Sequence, residues 1–175
     1  GCTHYVRGDP TDPKTTMGPL ISKAQYEKSL MYIQAGIEEG ATLKCGGKAC
    51  NAKGFEDGFF VQPTVFSDVT MSMRIAREEI FGPVLSIFRW EDEDELFKQV
   101  NDSDYGLSAA IFTKDLTTAH RAAARVEAGY IWVNHAGPHF IGAPFGGYKQ
   151  SGLGREEGLE ELLASTNTKN INIKL

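Results

Sequence analysis

The chain has 175 residues, 41% hydrophobic and 23% charged, which is the balance of a folded globular domain and excludes a disordered or fibrous segment. Its net charge of −5 offers no positive field to gather nucleic acid or an anionic membrane surface, so neither is an expected partner. No apolar run approaches the ~18 residues of a spanning helix; the stretch from Ile80 to Phe88 is broken by Gly82, Pro83 and Ser86. The opening residues lack the charged-then-apolar order of a signal peptide, and Cys2, Cys45 and Cys50 are too few for a disulfide framework. A cytoplasmic setting is the expectation.

In chain order, Gly8 to Pro13 and Met17-Gly18-Pro19 combine prolines with turn formers and read as an extended loop. Ser22 stands three residues before Gln25, a capping-box spacing, and Tyr26, Leu30, Ile33 and Ile37 recur at helical steps until Gly40. That predicts a helix burying those four side chains. Thr42 to Cys45 and a turn region from Gly46 to Gly58 lead into Phe59 to Phe66, whose β-branched and aromatic content predicts a strand, with Pro63 at an edge or bulge. From there strands and helices alternate: Val84 to Trp90, Asp92 to Val100, Ser108 to Thr113, Leu116 to Glu127 and Tyr130 to Asn134. Such alternation predicts an α/β fold with right-handed crossovers and a parallel sheet. Gly137 to Gly154 reads as a long irregular loop, Glu156 to Leu163 as a short helix, and Thr166 to Leu175 as an exposed or partner-seeking strand.

Several candidate chemistries fail on spacing. Gly147 and Gly152 have the step of a phosphate-binding loop, but Leu153 stands where its Lys belongs, and a dinucleotide pattern from Gly152 would put Glu157 at its third Gly. A tight loop needing positive φ is the better reading. His135 and His139 are four apart, yet Gly137 and Pro138 between them exclude the helix that would aim both at a metal. No Gly-x-Ser-x-Gly elbow occurs and no cysteine has a context that would lower its pKa, so no catalytic residue is assigned in this chain. One segment stands out. Glu79 and Phe81, ahead of Gly82-Pro83 and an apolar strand, would share one side of an extended turn, where a carboxylate accepts from ligand hydroxyls and a ring stacks. The alternative is a helix end with solvated carboxylates and a core Phe.

That segment, Glu78-Glu79-Ile80-Phe81-Gly82-Pro83, resembles the Glu-Glu-Ile-Phe-Gly-Pro signature of the NAD(P)-dependent aldehyde dehydrogenase superfamily. Gly8-Asp9-Pro10 through Met17-Gly18-Pro19-Leu20-Ile21, Asn101 to Leu107, Gly129 to Asn134 and Ala143 to Glu156 resemble further motifs in the family's order. The resemblance implies that Glu79 binds the nicotinamide-ribose hydroxyls of NAD or NADP and that Phe81 packs near the nicotinamide. It also implies that Phe145 lies at the aldehyde pocket, with His139 in the substrate-contacting loop Asn134 to Ile141.

Departures from the family pattern matter as much. The nucleophilic Cys in its Gly-Gln-x-Cys context and the general-base Glu in its Glu-Leu-Gly-Gly context are both missing from these residues, as is the coenzyme-binding half. The expectation is therefore the C-terminal part of an enzyme oxidising an aldehyde to a carboxylate through a cysteine thiohemiacetal, inactive alone. Residues 1–163 would belong to the catalytic domain and 164–175 to a C-terminal oligomerisation strand of a homo-oligomer, with apolar surface exposed where the missing half packs. The competing reading is a non-enzymatic interaction module that keeps the family's assembly surface.

Overall fold

The computed structural model describes residues 5–50, 54 and 56–175. Cys2, His4 and part of the predicted turn region lie outside the described residues. The chain divides into two compact units, Gly1–Trp90 and Glu91–Leu175.

In the first unit, α1 (Lys23–Glu38) begins where the spacing predicts, with the Ser22 hydroxyl accepting from the Gln25 amide at 3.2 Å. Its buried stripe differs from the predicted one. Ile33 is buried, but Ile37 is 43% exposed, and Ser29, Tyr32, Ala35 and Gly36 occupy the inner face. Close approach at Gly36 explains this. A Cβ there would lie 3.0 Å from Ile75 and 3.2 Å from Phe66, so the helix packs through a position with no side chain.

Three strands, β1 (Thr42–Cys45), β2 (Thr64–Ser67) and β3 (Val84–Ser86), form a sheet in the order β1-β2-β3. The first pair is antiparallel, with a register shift between Leu43 and Cys45, and the second is parallel. The strand predicted from Phe59 starts only at Thr64, because Pro63 has no N–H for the ladder; Val61 keeps a single bridge to Ala49. The strand predicted to reach Trp90 stops at Ser86, since β2 ends at Ser67 and Asp68 turns left-handed, φ 58°. A four-residue helix, α2 (Arg74–Arg77), was not predicted. Ile33, Val61, Phe66, Met73, Ile75 and Ile80 belong to the core of this unit.

The second unit follows the predicted alternation closely: α3 (Glu93–Asn101), β4 (Tyr105–Gly106), β5 (Ser108–Ile111), α4 (Leu116–Arg125) and β6 (Tyr130–Val133). Asp92 and Asp115 cap the two helices, each accepting at 2.8 Å from an amide three residues on. Strands β5 and β6 pair in parallel through the α4 crossover. The predicted loop contains β7 (Tyr148–Lys149), antiparallel to β4, so the sheets of this α/β chain are mixed rather than wholly parallel.

Helix α5 (Leu159–Ala164) starts later than predicted. Glu156 is tied to Phe145 by two main-chain bonds of 2.7 and 2.9 Å, and Glu157 is left-handed at φ 63°, so no helix forms before Gly158. The strand expected over the last residues is not formed: residues 167–175 carry no helix or strand and are exposed, Ile171, Ile173 and Leu175 included. Among the described residues no strand pairs with them to complete a ladder. Among the described residues no helix is long and apolar enough to cross a membrane.

Candidate functional site

Two groups of side chains answer to the sequence candidates, one in each unit. In the first unit the end of α2 is fixed by charge. Arg74 donates to both carboxylate oxygens of Glu78 at 2.8 and 3.0 Å, and the Tyr32 hydroxyl donates to the same carboxylate at 2.6 Å. The Arg74 and Tyr32 bonds hold the Glu78 carboxyl down at about 2, and the shared proton bond with Glu78 pushes Tyr32 up.

Beyond that anchor, Ile80 is buried while Glu79 and Phe81 on either side of it are exposed, the ring of Phe81 by 75%. The turn is not extended as predicted, because Phe81 is left-handed at φ 53°. Nor is Phe81 a core residue. Its backbone is held by Gln25, whose side-chain amide donates to the Ile80 carbonyl at 3.0 Å and to the Phe81 carbonyl at 2.6 Å. Two strong donors on adjacent carbonyls offset the ~1–2 kcal/mol that a left-handed non-glycine residue costs. Sequence spacing marked Gln25 only as a helix-cap residue; its reach to residue 81 is a tertiary contact that no local pattern carries.

In the second unit, Tyr130 and Trp132 lie on the same face of β6, 4.9 Å apart between ring centroids. The loop that follows folds back over them. Trp132 donates from Nε1 to the Pro138 carbonyl at 2.8 Å, and the Tyr130 hydroxyl accepts from the Phe140 amide at 3.2 Å. These bonds bring His139 and Phe145 together at 4.4 Å, each also 5.5 Å from Tyr130. Nδ1 of His139 lies 2.6 Å from a carboxylate oxygen of Glu157. A cavity of about 360 Å³ borders two of these rings, Tyr130 and Trp132, and is lined further by His135, Phe140 and Ala143 among others, without His139 or Phe145. Tyr130, Trp132 and Glu157 were not singled out in the sequence, although the alternation along β6 marks the two aromatics as facing one way.

The glycine-rich loop is built for itself. Arg155 donates to the Gly147 and Gly154 carbonyls at 3.1 and 2.7 Å, Gly152 and Gly154 have positive φ, and a Cβ on Gly129 would collide with the Gly146 carbonyl. Lys149 donates to the Asn101 and Ser103 carbonyls and pairs with Glu127 at 2.8 Å. No cation is left there to cradle a phosphate. Among the described residues no group of three or more His, Cys, Asp or Glu is placed to hold a metal ion. Cys45 is disulfide-bonded, and Cys50 is free and half-buried.

The sequence model of the aldehyde dehydrogenase family matches residues 3–171. An aldehyde dehydrogenase, tropH, of Talaromyces stipitatus is 55% identical over 94% of this chain and 33% of its own length. A betaine aldehyde dehydrogenase of Mesorhizobium japonicum is 50% identical over 95% of this chain and 34% of its own. The chain thus spans about a third of the length of these curated relatives. Among solved structures, the NAD+ complex of an aldehyde dehydrogenase from Bacillus cereus superposes with a TM-score of 0.84 at 43% identity, over 92% of this chain and 32% of that one. The NAD+ complex of a betaine aldehyde dehydrogenase from Staphylococcus aureus gives 0.87 at 42%, over 93% and 32%.

Proposed function

The chain belongs to the aldehyde dehydrogenase family, and on that premise we propose that it forms the C-terminal part of an NAD(P)-dependent enzyme that oxidises an aldehyde to a carboxylate. In this reading the Glu79 carboxylate accepts from the ribose hydroxyls of NAD or NADP, and the Phe81 ring packs beside the nicotinamide. His139 and Phe145 contact the aldehyde. The coenzyme supplies the hydride acceptor, and a cysteine outside these 175 residues supplies the nucleophile that forms a thiohemiacetal.

The observation that carries the reading is Phe81. A large aromatic side chain left 75% exposed, on a left-handed backbone fixed by two hydrogen bonds from Gln25, fits a ring held ready for a flat partner. Glu79 suits the neighbouring role, since an ionised carboxylate only accepts and a ribose diol can donate twice. We likewise place such an enzyme in the cytoplasm, on the ground of its coenzyme supply and not of its cysteines, since Cys45 is disulfide-bonded.

Among the described residues no cysteine is placed to replace the absent nucleophile, since Cys45 is disulfide-bonded and Cys50 half-buried, and the family's Cys and Glu motifs do not occur in the sequence. The 175 residues alone are therefore expected to be inactive. The exposed apolar residues of the last segment, Ile171, Ile173 and Leu175, favour a second role in homo-oligomer assembly through residues 164–175. One preparation tests both. The purified chain should show no NAD(P)-dependent aldehyde oxidation and should scatter light as more than a monomer; turnover overturns the first reading, and a monomer at high concentration overturns the second.

A further inference from the structure

Glu157 departs from ordinary backbone geometry and is nevertheless held firmly. Its φ is 63°, its amide donates to the Glu161 carboxylate at 2.7 Å, and its carbonyl accepts from Gly142 at 3.0 Å. This arrangement aims its side chain at one atom, Nδ1 of His139, 2.6 Å away. Where a carboxylate is the acceptor in that contact, the hydrogen lies on Nδ1 of the imidazole.

The other nitrogen is available. Nε2 of His139 has no protein partner among the described residues, and a third of the side chain remains accessible. The ring is packed among Phe145 at 4.4 Å, Tyr130 at 5.5 Å and Trp132 at 5.9 Å. Aromatic packing of this kind leaves the imidazole edge for polar recognition. In the neutral ring with Nδ1 protonated, that edge is an acceptor.

We propose that the Glu157–His139 pair is a specificity device, in which Glu157 fixes the imidazole tautomer so that Nε2 accepts a hydrogen bond from a hydroxyl on an aromatic aldehyde. The rings of the cluster supply flat apolar contact for the aryl group, and Nε2 supplies the single directed polar contact. An anionic group is disfavoured there, since Glu157 already brings a negative charge and the Arg155 guanidinium is engaged with main-chain carbonyls. The proposal rests on the reading of this loop as the aldehyde-contacting one; the role of Glu157 as a positioning residue is separately measurable.

Long-range proton–nitrogen NMR on the 175-residue chain reads the tautomer directly. Near neutral pH the His139 ring should show a protonated Nδ1 and a bare Nε2, and Glu157→Leu should shift it toward the Nε2-protonated form. A ring protonated at both nitrogens, or at Nε2 alone, in the unsubstituted chain overturns the proposal without any variant having to fold. Titration of the full-length enzyme with para-hydroxybenzaldehyde and para-methylbenzaldehyde, followed at His139 and Phe145, then tests recognition. The hydroxyl compound should bind about five- to tenfold more tightly, the worth of one hydrogen bond, and the preference should vanish in His139→Phe. Equal affinities with the expected tautomer overturn the acceptor role alone. If neither aldehyde perturbs either residue, the assignment of the loop to the aldehyde fails, and the specificity device with it.

Discussion

The two candidate groups are held in opposite ways. In the first unit Glu79 and Phe81 are exposed side chains on a clamped backbone: Gln25 grips two carbonyls, Ile80 is buried between them, and the Arg74–Glu78–Tyr32 cluster fixes the preceding residue. In the second unit His139 and Phe145 hold one another, packed with Tyr130 and Trp132 under a loop tied down at Pro138 and Phe140. A backbone clamp presents a side chain in one place whatever that side chain is. A ring cluster changes shape whenever one member changes, which suits a surface that must be fitted to a particular ligand.

If the first clamp is supported from below by the core, emptying that core should release it. Phe66 is fully buried and packs against both helices of the first unit through Gly36 and Ile75. Phe66→Ala should destabilise the unit by about 3–5 kcal/mol, the largest effect expected here. Trp90 and Trp132 fall in different units, so in a Trp132→Phe background the denaturant midpoint is followed by a tryptophan of the first unit. A loss below ~1 kcal/mol would mean that the core collapses around the gap.

A narrower substitution tests the clamp itself. Gln25→Ala leaves the Ile80 and Phe81 carbonyls without their donor and should cost about 1–3 kcal/mol. Hydrogen exchange should quicken around residues 80 to 84 more than along β1, since the amide of Val84 lies just beyond the freed turn. Gln25→Glu, which keeps the shape and removes the donors, should behave like the alanine variant. Equal protection in all three chains would show that Ile80 burial suffices to hold the turn.

Much of this was legible beforehand, for physical reasons. The Ser22 cap, the helix starts near Asp92 and at Leu116 and the β5–α4–β6 crossover depend on short-range rules, and the structure keeps them. Glu79 and Phe81 stood out because a carboxylate and a ring beside Gly-Pro is an unusual local combination. What escaped was set by distance. Gln25 meets residue 81 across 56 positions of sequence, Glu157 meets His139 across 18, and neither pairing leaves a periodicity to read. The rotated face of α1 has the same origin, since the glycine that permits it reads only as a weak point in a helix until Ile75 and Phe66 arrive. Residues 167–175 form no strand within the single chain, because alternation predicts which faces a strand would have and not whether anything pairs with it.

The smallest effect separates the two units by pH. Glu78 titrates at about 2 in the folded chain against an ordinary 4.5, so the fold favours its charged form. Its contribution is complete above about pH 4.5 and is lost as the pH falls toward about 2, where the Arg74 and Tyr32 bonds no longer meet a carboxylate. Arg74 and Glu78 are both nearly half exposed, which keeps the effect modest and sensitive to salt. The Trp90 midpoint should fall across that window in the parent chain and fall less steeply in Glu78→Gln, the two converging near pH 2. Parallel slopes would assign the acid sensitivity of the first unit to other carboxylates and leave the turn at Glu79 resting on Gln25 alone.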